Sequence, residues 1–106
     1  MREAVIVEAV RTPIGRGKPI VGDLSGFHAV ELLGLSLAEI MKRSGLEYSD
    51  VDYLAGGCVT QAGEQSSNIT RNAWLNLGKG YTAGGTTLDN QCGSAQTANH
   101  MISSMI

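Results

Sequence analysis

One residue concentrates the chemistry that this sequence offers. In "TTLDNQCGSAQTANHMISSMI", residues 86–106, Cys92 falls where a short β-prone run gives way to an apolar run with helical spacing. A side chain at such a junction meets unsatisfied backbone N–H groups and the positive end of a helix dipole. These settings favour thiolates, lowering cysteine pKa values from about 8.5 to roughly 3.5–7.5. The thiolate is the nucleophile of acyl transfer. Gly93 permits close approach of a substrate, and Ser94 and Ala95 leave the first helical turn uncrowded. A free cysteine is more often a small buried hydrophobe, so on chain position alone both readings of Cys92 stand.

A nucleophile needs a base. His100 lies eight residues further along the same run, a rise of about 12 Å on a helix and beyond hydrogen-bond reach. It reads as a packed or surface residue, and His28, at the start of an earlier helix, as a capping or packing one. No base for Cys92 is found in the 106 residues. Cys58 follows two glycines in an apolar strand, with no helix terminus to activate it. The two cysteines form no C-x-x-C pair, and no zinc-like spacing joins them to the histidines.

Other chemistries fail on spacing. "GRGKPI" begins like a G-x-G-x-x-G turn, but Ile20 replaces the third glycine and Pro19 spoils the helix opening. No P-loop and no G-x-S-x-G elbow occurs. Glu64, Gln65 and Arg71 read as a solvated helix end, with an interface role also possible, and the single Trp74 as core.

The elements that must position Cys92 alternate. "AVIVEAV" (4–10) reads as a buried strand, residues 11–26 as a loop. Residues 27–46 carry apolar residues at helical spacing, with Lys42 and Arg43 in the last turn and Gly45 as C-cap. Ser49 and Asp50 suit a single turn before a strand over Tyr53–Val59, where Gly56-Gly57 suggests close backbone approach. A second helix follows, N-capped by Ser66 or Ser67 and ended by Gly78. Thr86–Asn90 is a third strand, and a third helix runs from Cys92. This β-α-β-α-β-α order predicts an α/β fold with a largely parallel sheet. The last helix carries apolar residues over a wide arc, as one buried on most sides would. It lacks a stop signal, so the natural chain is expected to continue.

Composition narrows the class. The net charge of −2 with only eight scattered basic residues gives no electrostatic footprint for nucleic acid. Glu3 and Glu8 flank the first apolar run, unlike a signal peptide, and no stretch has the length of a membrane span. Two cysteines make no disulfide scaffold. A cytoplasmic protein is expected.

"VIVEAVRTPIGR" (5–16), "GGCVTQAGEQSSNITRNAW" (56–74) and "DNQCGSAQTA" (89–98) together resemble the thiolase family, the acetyl-CoA C-acyltransferases. The resemblance implies a layered α-β-α-β-α fold, residues 1–106 being an incomplete N-terminal thiolase domain. It implies that Cys92 starts a buried central helix and is the acyl-thioester nucleophile, its own N–H contributing to an oxyanion hole. It further implies acyl-CoA and CoA as substrates, no resident cofactor or metal, and a homodimer or tetramer through the strand around Thr86–Asn90. The family's histidine base, second cysteine and asparagine–glutamate segment have no counterpart here, so the rest of the polypeptide is an expected partner and the fragment alone is expected to be inactive. Ala95 stands where thiolases typically have glycine. The wording around Cys58 and His100 is nearest to bacterial thiolases of steroid side-chain degradation. The competing readings are a ketoacyl synthase-like condensing enzyme and a non-catalytic assembly module.

Overall fold

The computed structural model describes residues 2–106. Helix α1 (Ala29–Ser44) is followed by strand β1 (Tyr53–Gly57), helix α2 (Ile69–Asn76), strand β2 (Gly84–Leu88) and helix α3 (Ser94–Met105). Single 3₁₀ turns at Tyr48–Asp50 and Gly63–Gln65 precede β1 and α2.

Local chemistry explains the boundaries of α1. His28 accepts from the Val30 N–H through Nδ1 (3.1 Å), while Glu31 reaches back to the His28 N–H (3.0 Å), a reciprocal capping box. Glu64 takes a third orphan donor, the Ala29 N–H, at 3.1 Å. At the other end Gly45 adopts φ 70 and donates to the Met41 carbonyl, the left-handed cap that glycine enters without steric cost.

β1 and β2 pair in parallel, in register from Tyr53↔Gly84 to Gly57↔Leu88, with α2 as the crossover. Successive strand residues face opposite sides, and the glycine pair exploits this. A Cβ at Gly56 would collide with Thr70 of α2, and one at Gly57 with Ser94 and Ala95 of α3. So α2, with α1 packed beside it, covers one face, and α3 the other. The close approach predicted for Gly56-Gly57 is present on both faces. Met41, Leu54, Trp74 and Ala83 form the core between α1, α2 and the sheet. Trp74 is 1% exposed and its ring lies 5.0 Å from that of Tyr48.

Several expectations need correction. Residues 4–10 form no strand: Val5, Ile6 and Val7 are 69%, 89% and 68% exposed. β-Branched composition favours a strand only where a neighbour completes the ladder, and β1 pairs with β2 alone. The N-cap of α2 is Asn68, not Ser66 or Ser67. At φ 63 its side chain accepts from the Arg71 N–H and donates to the Gly85 carbonyl (2.9 Å), ties that neither serine makes. β1 stops at Gly57, β2 spans Gly84–Leu88 rather than 86–90, and α3 begins two residues after Cys92. Finally, α3 is not buried on most sides: it packs on the sheet through β1, only Ser94 and Ala98 of its residues are buried, and Met105 and Ile106 are exposed.

Candidate active site

The turn between β2 and α3, residues 89–93, places Cys92 at its crest. Gln91 takes φ 48, a left-handed conformation that costs a non-glycine residue on the order of 1 kcal/mol or more. Hydrogen bonds impose it. Asp89 Oδ1 accepts from the Gln91 N–H at 2.7 Å, and the Asn90 carbonyl accepts from the Gly93 N–H at 3.0 Å. The Ser94 N–H donates to the Gln91 carbonyl (3.1 Å), and the Ser94 hydroxyl donates to the same carbonyl (2.6 Å) while accepting from the Asn90 N–H (2.9 Å). Asn90 Nδ2 reaches Thr97 Oγ1 at 2.8 Å, joining the turn to the second turn of α3.

Cys92 is exposed and lies next to the N-cap, Gly93. The α3 start differs from the other two helix starts. The His28 and Asn68 side chains accept from N–H groups of α1 and α2, whereas Gly93 offers no such acceptor and the first turn of α3 holds no acid. The Gly93 and Ser94 N–H groups are taken by the Asn90 and Gln91 carbonyls, so what this helix start offers an outside acceptor is its dipole, which no side-chain cap or first-turn acid offsets. A thiolate, or an oxygen gaining negative charge beside Cys92, has the chemistry to use it.

The other candidates are not brought to Cys92. His100 is exposed, in a cleft that α3 forms with Ala4, Val5 and Ile6. His28 is a helix cap, one of the two roles expected for it. Cys58 is half-buried just beyond β1, its N–H bonded to the Leu88 carbonyl (3.0 Å) and its thiol pointed at the Thr60 carbonyl (3.6 Å). The solvated-helix-end reading fails for Arg71, which is half-buried and donates to the Ala83 carbonyl. Glu64 caps α1, and Gln65 donates to the Thr60 carbonyl (2.9 Å). Among the described residues no group of three or more His, Cys, Asp or Glu is placed to hold a metal ion, and no helix is long and apolar enough to cross a membrane.

Sequence reasoning missed Gln91 and the clamp made by Ser94. Glutamine carries no left-handed preference, so nothing in the sequence marks Gln91. Serine at a helix start is a recognisable signal, but its bonds run backward across the cysteine rather than into the helix.

Comparisons with known proteins bear on this geometry. The family model described as "Thiolase, N-terminal domain" matches residues 4–106. A steroid 3-ketoacyl-CoA thiolase of Mycobacterium tuberculosis is 39% identical over 98 residues, covering 92% of this chain and 23% of the relative. A 3-ketoacyl-CoA thiolase of Colwellia psychrerythraea is 38% identical over 107 residues, covering 100% of this chain and 27% of the relative. The crystal structure of the Bacillus anthracis acetyl-CoA acetyltransferase superposes with a TM-score of 0.85 at 36% identity, covering all of this chain and 26% of that one. The chain thus spans about a quarter of the length of the curated relatives it matches.

Proposed function

The chain belongs to the thiolase family, and from that premise we propose that residues 1–106 are the nucleophile-bearing part of the N-terminal domain of an acyl-CoA C-acyltransferase. The carrying observation is the placement of Cys92 on a strained, hydrogen-bonded turn before a helix whose first donors have no side-chain cap.

In this reading the Cys92 thiolate attacks the ketone carbon of a 3-ketoacyl-CoA. The Sγ–C bond forms and the carbonyl oxygen takes up negative charge, stabilised by donors that include the Cys92 N–H. Collapse restores the C=O and breaks the bond between the α and β carbons. The acyl group stays on sulfur, and the departing carbanion takes a proton to leave as acetyl-CoA. The thiol of a second CoA then accepts the acyl group and frees the cysteine. Condensation of two acyl-CoA molecules is the same path reversed. CoA is a substrate, and no resident cofactor or metal enters the scheme. The proton transfers fall to groups outside residues 1–106, so the rest of the polypeptide is an obligate partner and this part alone is inactive.

Steroid or other bulky acyl-CoA substrates, a cytoplasmic location, and a homodimer or tetramer built through the strand region 86–90 complete the proposal. The similarity to the steroid 3-ketoacyl-CoA thiolase of Mycobacterium tuberculosis supports this substrate range.

Intact-mass measurement of the full-length polypeptide, before and after acetoacetyl-CoA, tests the reading. An added acetyl group that Cys92→Ala removes is the expected result. A complete enzyme that turns over with no adduct on Cys92 overturns it.

A further inference from the structure

The structure assigns Ser94 as a positioning residue for Cys92, a role that rests on the nucleophile reading above. The Ser94 hydroxyl is 4% exposed with its residue and spans the cysteine on the chain, accepting from the Asn90 N–H (2.9 Å) and donating to the Gln91 carbonyl (2.6 Å). Both partners lie N-terminal to Cys92, while Ser94 itself is the first residue of α3. One side chain therefore fixes the two peptide groups leading into the nucleophile relative to the helix end behind it.

Two further features make this a built seat. Gly57 lacks the Cβ that would collide with Ser94, whose own Cβ would lie 2.8 Å from it, so β1 pins the serine from below. Thr97 holds the Asn90 side chain at 2.8 Å from one turn further along α3. Gln91 cannot hold its left-handed conformation by intrinsic preference, and the clamp supplies the restraint. Without the hydroxyl, the turn relaxes and Cys92 drifts from the end of the helix dipole. Because Cys92 is already exposed, relaxation brings no gain in access and only loses the fixed placement of the sulfur at the helix start.

Alkylation by iodoacetamide in the full-length polypeptide reads this directly, with Cys58 as an internal monitor of folding. Ser94→Ala is expected to slow Cys92 alkylation at least about fivefold and leave the Cys58 rate unchanged. A Cys92 rate within about twofold of the parent, or a joint rise at both cysteines, overturns the assignment. Thr97→Val repeats the test without touching the buried hydroxyl: slower Cys92 alkylation with Cys58 unchanged supports the clamp, and an unchanged Cys92 overturns it. The probe requires no acyl-CoA. A parent protein that alkylates at Cys92 but is never acylated by acetoacetyl-CoA defeats the thiolase reading and leaves the Ser94 comparison intact.

Discussion

Two adjacent parallel strands each run into a segment containing a cysteine, and the two strand ends have opposite character. Beyond β1, Cys58 continues the ladder: its N–H is spent on the Leu88 carbonyl and its thiol on Thr60. Beyond β2, the chain leaves the sheet through a left-handed residue, and Cys92 emerges exposed before a helix without a side-chain cap. The same atom type is absorbed in one place and presented in the other. What differs is the setting of each thiol: Cys58 is half-buried against the ladder, and Cys92 is exposed at the start of a helix.

Replacing the two thiols in the full-length protein tests the contrast most severely. Cys92→Ala is expected to lower kcat by a thousandfold or more, roughly the scale of losing a nucleophile. Cys58→Ala should leave kcat within about threefold, since it removes no activated group. Comparable losses in steady-state assays of both variants would erase the distinction.

The seat beneath Cys92 ranks next. Gly57→Ala forces a methyl into the backbone of Ser94 and Ala95 and should cost about 1–3 kcal/mol or more, seen as a lower denaturant midpoint. Gly93→Ala, whose Cβ meets nothing closer than 3.4 Å, should cost well below 1 kcal/mol, roughly an unstrained glycine replacement. A Gly57→Ala protein as stable as its parent would mean that β1 does not position the turn.

Strain at Gln91 gives a smaller effect of opposite sign. Gln91→Gly should raise stability by up to about 1 kcal/mol while slowing Cys92 alkylation, because the relaxed turn is also less restrained. Far from both cysteines, His28→Ala removes a cap and should cost about 1 kcal/mol with no change in alkylation. Calorimetry combined with iodoacetamide labelling separates these two cases.

The smallest effect sets the floor. The Arg43 hydrogen bond, 2.9 Å from Nε to Oε1, holds the Glu39 carboxyl below its usual pKa, with Lys42 and the Arg43 charge acting in the same direction. A carboxylate pKa depressed by folding contributes stability above the unfolded-state value and loses it as pH falls through the folded one. Glu39→Gln should therefore shift stability slightly at neutral pH and not at all in strong acid, by an amount small enough for an exposed pair to need careful melts. Neither cysteine should respond.

Those elements whose determinants are local were legible in the sequence. Helix α1 reads from its apolar spacing, its basic last turn and Gly45, and the structure ends it there. Gly56-Gly57 announced close packing because only glycine admits a helix so near a strand on either face. Cys92 stood out because the change from a β-prone run to an apolar run with helical spacing marks a strand-to-helix junction. The strand expected over residues 4–10 shows the opposite case: its composition is correct, but a strand exists through its partner, and no residue within the run supplies one. Asn68 displaced the two serines as N-cap for a similar reason, since Gly85 on β2, seventeen residues away, anchors its side chain.

By itself, then, the sequence determined which residues are able to form helices, where the backbone must approach closely, and which cysteine sits at a strand-to-helix junction. These follow from side-chain shape and spacing, which act over a few residues. Tertiary structure alone decided that Gln91 bears the strain, that Ser94 bonds backward across Cys92, and that Cys58 is consumed by the ladder. Each of those outcomes depends on which donor meets which acceptor across the sheet, and that pairing is fixed only when β1, β2 and α3 are packed together.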